Sequence, residues 1–439
     1  MSMHSITRAF AAAVFLLVSA VSAQAFKIEE VTSPGGIKAW LVQEKAVPLI
    51  AMNFSFKGGS ARDPEEKLGV SEFLTGMMDE GAGDILSSEF QGKRDALAFR
   101  MSFQSGRDYF GGSFQTLSRS RDESLELLRL AITSPRFDAE PLERVRQQFI
   151  LSVKNDNQNP QSIAFKNWMN AILPGDPYAR ENTGTVASMA AISADDLSAA
   201  HKRIFTRANL QVAVVGDIDA AELGPLLDKL FGGLPETSEL AELPPANLAQ
   251  GANTVTQAQD IPQSVIIFGH EAIKRDDPDF IPAYVMSEIL GGGGFSSRLT
   301  TEIREKRGLT YGVGFSLSPM QRTGLYIGSL QTSNERVGEA LALVREVMAK
   351  MAAEGPTQAE LDEAKTYLTG SYALRFSSNS AIANQLLALQ QQDLGIDYVD
   401  RRNSMIEAVT LEQVKAQARR LLHPDRLIVS IVGKPEGVN

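Results

Sequence analysis

The sequence predicts an α+β protein built from two homologous α/β-sandwich domains. Three observations carry that expectation. Residues 235–253, with Pro-Glu-Thr-Ser, then Pro-Pro, then Gln-Gly-Ala-Asn, show no apolar period and read as a linker. Each side of it opens in the same way, with a strand, a polar loop and a helix: 48–56, 60–67 and 68–80 in the first half, then 264–269, 271–279 and 280–290 in the second. Each half also closes in the same way. Ser193 caps a helix and Gly216 ends an apolar strand 23 residues later; Thr410 and Gly433 repeat that pattern at the same spacing. A shared opening and a shared ending argue for an internal repeat. The expected division is 1–25 leader, 26–234 N-terminal domain, 235–253 linker and 254–439 C-terminal domain.

In chain order, the first 25 residues have the parts of a secretory signal. Arg8 supplies the positive start, residues 9–21 are apolar but too short to span a membrane, and Ala23-Gln24-Ala25 fits the small-x-small cleavage rule. Cleavage near Ala25 points to a periplasmic protein, and a chain with no cysteine suits that compartment. No later run of about 18 apolar residues is present, so no membrane span is expected. The chain of 439 residues carries a net charge of −10, and −11 once Arg8 leaves with the leader. That charge gives no electrostatic reason for nucleic-acid binding.

Ile50, Met52, Phe54 and Phe56 alternate with Ala51, Asn53 and Ser55, the pattern of a half-buried strand. In the next element Val70, Phe73, Leu74, Met77 and Met78 recur at i, i+3, i+4, i+7 and i+8, one apolar face of a helix. Glu72, Thr75, Gly76 and Asp79 fall on the other face. Residues 89–99, 123–132 and 141–154 read as helices, 100–113 as a strand pair turning near Ser105-Gly106, and 210–215 as an apolar strand. His201, His270 and His423 are each isolated in sequence and read as surface or locally bonded residues. Asp277 and Asp279 read as a helix cap rather than a calcium set. No G-x-S-x-G elbow, phosphate loop or EF-hand spacing occurs.

The strongest motifs lie in the second half: ILGGGGFSSRL at 289–299, followed by EIREKRGLTY at 302–311. DPDF at 277–280 and AVVGD at 213–217 are weaker companions. Together they resemble the pitrilysin/insulinase family of zinc metallopeptidases, in its bacterial and mitochondrial-processing-peptidase branch, over nearly all of the mature chain. The resemblance implies a LuxS/metallohydrolase-like metallopeptidase fold whose two halves form a clam shell. It also implies an H-x-x-E-H helix at 72–76, where this chain has Glu72, Thr75 and Gly76. Threonine has no useful basicity near neutral pH and glycine has no side chain. The downstream segment 150–154, where the family's third ligand belongs, reads Ile-Leu-Ser-Val-Lys and holds no acid.

An Arg and a Tyr at the spacing of Arg304 and Tyr311 bind substrate backbone in the family and help stabilise the tetrahedral intermediate. Spacing alone favours an ion-paired Arg at a helix end and a first inward-facing Tyr of the next strand; the intact surrounding motif favours the functional reading. The run Gly291, Gly292, Gly293, Gly294, Phe295 lacks the Lys-Ser/Thr of a phosphate loop. It reads as a substrate-handling loop, as in the non-catalytic processing-peptidase subunit, or as a plain flexible turn.

The resulting expectation is a degenerate, non-catalytic member that binds no cofactor of its own. It pairs, as a heterodimer, with a zinc-bearing subunit of the same family. It closes the peptide chamber and supplies Arg304 and Tyr311 in trans, with Gly292, Gly293, Gly294 and Phe295 near the peptide. The alternatives are a zinc-independent peptide-binding or assembly protein of the same fold, and an independent hydrolase with a different site.

Overall fold

The computed structural model describes residues 27–293 and 296–438. The expected leader lies outside the described residues, as do Gly294 and Phe295 of the glycine run.

Two mixed sheets form the frame. The first runs in spatial order Ile28–Thr32, Lys38–Gln43, Leu210–Gly216, Leu49–Lys57, Tyr109–Leu117, Arg100–Ser105. The second runs Asn253–Ala258, Ile428–Gly433, Gln263–Ala272, Gly324–Ser333, Val313–Pro319. From its second strand onward the first sheet matches the second strand for strand. The match includes the parallel pair in each, Lys38–Gln43 on Leu210–Gly216 and Asn253–Ala258 on Ile428–Gly433.

The repeated endings have a physical cause. Ser193 and Thr410 each accept the N–H three residues on, and Asp196 and Gln413 return the bond, so both helices start with a capping box. Gly216 and Gly433 close their strands at φ 141° and 146°. A Cβ would lie 2.1 Å from the Leu49 carbonyl oxygen at the first and 2.3 Å from Ser264 Oγ at the second.

Each sheet buries one face in its own half. Phe54, Phe73, Leu128 and Phe231 centre the first core, and Phe268, Met286, Val344 and Ile431 the second. The opposite face of each sheet is covered by a helix from the other half. Pro160–Ile172 lies on the second sheet, where buried Trp168 donates its Nε1–H to the Ile428 carbonyl at 3.0 Å. Asn379–Gln391 lies on the first sheet, where Gln390 Nε2 donates to Val212 O and Gln211 Nε2 to Gln390 O, both at 2.9 Å. This exchange corrects the expectation of a half-buried strand at 48–56. The strand Leu49–Lys57 is buried on both faces, and the amides of Asn53 and Asn384 meet at 2.6 Å.

A polar clasp also joins the halves. Arg322, on the turn before Gly324–Ser333, makes two hydrogen bonds to Asp176, at 2.6 and 2.8 Å. Its guanidinium lies 4.7 Å from the Tyr178 ring centre, and Tyr178 Oη donates to Asp108 at 2.5 Å. Burial alone would raise the Asp176 carboxyl, but Arg322 outweighs it and holds the group below its usual range. Among the described residues no helix is long and apolar enough to cross a membrane.

Candidate functional site

The helix Val70–Met77 begins at Gly69, whose φ of 84° is left-handed. A Cβ there would sit 2.7 Å from Gly184 Cα, so only glycine lets the helix start against that chain. Buried Asp63 serves the first turn: it accepts the Ser71 hydroxyl at 2.5 Å and the Ser71 N–H at 3.2 Å, and Arg203 approaches it at 3.1 Å. Burial raises the Asp63 carboxyl against the pull of Ser71 and Arg203.

The three degenerate positions differ in fate. Glu72 is half-buried, and burial, reinforced by the charge on Asp63, pushes its carboxyl up to about 7. Thr75 spends its hydroxyl on the Glu72 carbonyl within the same helix, at 2.7 Å. Gly76 is half-buried and has no room for a side chain. A Cβ on it would lie 2.7 Å from Phe149 Cε2 and 3.0 Å from Val145 Cγ1, both on the helix Ala139–Asp156. Phe149 also packs on Phe73, ring centres 5.6 Å apart. An aromatic side chain thus fills the space beside position 76.

Zinc needs several Lewis-basic groups converging at about 2 Å. Glu72 and Asp63 are two carboxylates with Arg203 alongside, and Phe149 covers the next turn. These residues do not fit the metal. Among the described residues no group of three His, Cys, Asp or Glu side chains converges on a metal position.

The second half is more open. Arg304 lies half-buried on the wide helical turn Thr300–Glu305. Tyr311 is 90% exposed. It precedes the strand Val313–Pro319 by two residues, which corrects its reading as the strand's first inward aromatic. It lines a cavity of about 280 Å³ with Gln161, Gln263 and Gln331, and Gln331 Nε2 donates to Gln161 Oε1 at 3.2 Å. Arg304 is not among the residues lining that cavity.

The glycine run divides by position. A Cβ on Gly291 would fall 2.5 Å from Phe315 Cβ, so this glycine lets the helix Phe280–Gly291 lie on the sheet-edge strand. A Cβ on Gly292 would fall 2.3 Å from Glu288 Oε2. A Cβ on Gly293 would meet, among the described residues, only the Tyr367 hydroxyl, at 3.5 Å. Arg298 of the same motif grips Glu360 through two bonds, at 2.6 and 2.8 Å, which ties the turn to the helix Gln358–Gly370.

Other expectations are met or corrected locally. His201 is bonded to the Ile132 carbonyl at 2.7 Å and stacks on Phe205, as a locally held residue should. His270 and His423, isolated in sequence, meet in space with ring centres 5.7 Å apart. His270 is buried, which lowers its imidazole to about 4. Asp277 and Asp279 both bind Arg420, at 2.9 and 3.0 Å; Asp277 also accepts the Asp279 N–H at 2.8 Å at the helix start, whereas Asp279 makes no side-chain cap bond.

Residues 41–186 match the family model for insulinase, peptidase family M16, and residues 191–368 match the model for the peptidase M16 inactive domain. The chain belongs to the M16 peptidase family. Its fold is similar to a peptidase M16 inactive domain from Pseudomonas fluorescens, with a TM-score of 0.87 and 29% identity over 93% of this chain and 98% of the other. It is also similar to a non-peptidase homolog, YmxG, of Helicobacter pylori, at 24% identity over 84% of this chain and 85% of the relative. An uncharacterized zinc protease of Rickettsia bellii is 22% identical over 80% of this chain and 82% of its own length. A chain of complex III2 from Candida albicans, with a TM-score of 0.76 at 14% identity, shares the fold alone. With an inactive-domain match in its second half and no zinc-fitting donors at 72–76, the chain is a non-catalytic M16 member.

Sequence reasoning missed Phe149, which sits one residue before the segment searched for a metal ligand. It also missed the glutamine amides around Tyr311, contributed by two halves and three elements. The i, i+4 spacing of Val145 and Phe149 was a usable signal for the first; nothing local signals the second.

Proposed function

We propose that this M16 chain is the zinc-less subunit of a heterodimeric, periplasmic metallopeptidase. Its partner is a family member that carries an intact H-x-x-E-H helix. The observation that carries the reading is a contrast between the halves: position 76 is crowded by Phe149, with no room for a side chain, whereas Tyr311 stands 90% exposed beside three glutamines.

Zinc on the partner would polarise the attacking water. This chain's residues would bind and orient the peptide. Amide side chains both donate and accept, so Gln161, Gln263 and Gln331 suit an extended backbone. The Tyr311 hydroxyl would donate to the peptide carbonyl, and the Arg304 guanidinium would add a charge-assisted donor for the oxygen that gains negative charge. Gly293, with Gly294 and Phe295, would approach the peptide closely, while Gly291 and Gly292 are already committed to packing. The helix exchange and the Arg322–Asp176 clasp favour a rigid chain that closes a chamber formed with its partner.

The reading is tested by purifying the chain from its native host at moderate salt and identifying what comes with it. The expected companion is an M16 chain with the complete zinc motif, in equal amount. Recovery alone, or with stoichiometric zinc on this chain, would overturn the subunit reading.

A further inference from the structure

A second cavity, of about 480 Å³, lies where the end of the helix Ala139–Asp156, the helix Pro160–Ile172, residues 179–183 and the strand Asn253–Ala258 meet. Both halves line it, and its volume suits a peptide of a few residues. Its charges are unevenly used. Lys166 and Glu181 are paired with each other. Asp156 is the other carboxylate. Arg107 and Arg180 both border the cavity, and among the described residues neither is in an ion pair.

Arg107 is nevertheless held in place. It sits at the tip of the hairpin between Arg100–Ser105 and Tyr109–Leu117. Its Nε donates to the Tyr178 carbonyl at 2.8 Å, and its guanidinium lies 5.9 Å from the Phe165 ring centre. The adjacent Asp108 is occupied by the Tyr178 hydroxyl. Asp108 attracts the guanidinium electrostatically, but among the described residues neither Nη atom of Arg107 makes a hydrogen bond, so the fork of a bidentate pair remains in a residue that lines the cavity. Arg180, half-buried, makes no side-chain hydrogen bond there. Three cations and two carboxylates leave the wall one positive charge, matched to a monoanion.

We infer that this cavity binds the carboxylate of a short peptide, from its C-terminus or an acidic side chain, with Arg107 as the fork and Arg180 as the second cation. That the ligand is a peptide rests on the peptide-handling role proposed above; the carboxylate preference does not.

The test is calorimetric titration of the isolated full chain with acetyl-trialanine as free acid, the same peptide as amide, acetyl-Ala-Glu-Ala amide, and inorganic phosphate. The free acid should bind at least tenfold more tightly than its amide, and more weakly as salt rises. Arg107→Gln and Arg180→Gln should each weaken binding tenfold or more, Arg180→Gln without shifting thermal unfolding and Arg107→Gln in a chain that is still folded at the titration temperature, and Arg107→Lys should fall between. Preference for the Glu peptide over the free acid would assign the carboxylate to a side chain. Binding of neither carboxylate peptide, a preference for phosphate, or unchanged affinity in both Gln variants would overturn the inference. The titration needs neither zinc nor partner, so its failure leaves the subunit reading to be decided by co-purification.

Discussion

Replacing Gly76 with histidine tests whether the sealed helix is a packed surface or an empty metal site. The Cβ alone would lie 2.7 Å from Phe149 Cε2, about 1 Å inside normal carbon contact, before any ring atom is placed. Overpacking of this kind costs about 1–3 kcal/mol. Relief of the glycine's helix penalty returns about 0.3–0.5 kcal/mol, so Gly76→His should destabilise by about 1–2 kcal/mol. Phe149→Ala should cost about 2 kcal/mol, roughly half the value for a fully buried ring, because Phe149 is half-buried. In the double variant the imidazole occupies the vacated space, so the cost should fall short of the sum by about 1–2 kcal/mol. Chemical unfolding of the four proteins at constant pH completes the cycle. A neutral or stabilising Gly76→His, or strict additivity, would refute the packing described for this face.

Three further outcomes follow from the geometry. Arg322→Met should destabilise by about 3–5 kcal/mol by stranding Asp176, whose side chain is 4% exposed, whereas Arg322→Met with Asp176→Leu should cost less; differential scanning calorimetry measures both. Glu72 binds its proton more tightly when folded than the usual carboxyl value of 4.5, so its contribution to stability should fall as pH rises from about 4.5 to 7. After allowance for its partial exposure the change is about 2 kcal/mol, and Glu72→Gln should flatten that slope in a pH series of unfolding curves. Gly291→Ala should lower the melting temperature by several degrees, because its Cβ would overlap Phe315, while Gly293→Ala should leave it within a degree or two; equal effects would contradict the division of the glycine run.

Features set by neighbouring residues were legible in the sequence. The capping boxes at Ser193 and Thr410 and the strand-ending Gly216 and Gly433 are short-range devices, and they announced two halves of equal topology. The damage at Glu72, Thr75 and Gly76 was equally plain, because a metal site depends on side-chain type at fixed helical spacing. What was not legible depends on contacts across the chain. Alternation in 48–56 describes one covered face; the second face is covered by a helix more than 300 residues away, as the Asn53–Asn384 contact shows. Arg420 reaches Asp277 and Asp279 over about 140 residues, which adds an anchor to the backbone bond that Asp277 makes at the helix start. Tyr311 as a first inward-facing residue of the next strand does not hold, because Gly312 separates it from the ladder and it turns to solvent.

In the proposed function, this chain contributes to peptide hydrolysis in trans, from its second half. The most direct measurement is peptide turnover by the zinc-bearing partner, alone and with this chain added as wild type, Arg304→Ala or Tyr311→Phe, with complex formation measured in parallel. The account predicts that wild type raises turnover and that the isolated chain has none. Both variants should assemble normally and lower kcat/KM by tenfold or more, about 1.4 kcal/mol of lost transition-state stabilisation each. Turnover equal to wild type in both variants, or zinc-dependent turnover by this chain alone, would contradict it.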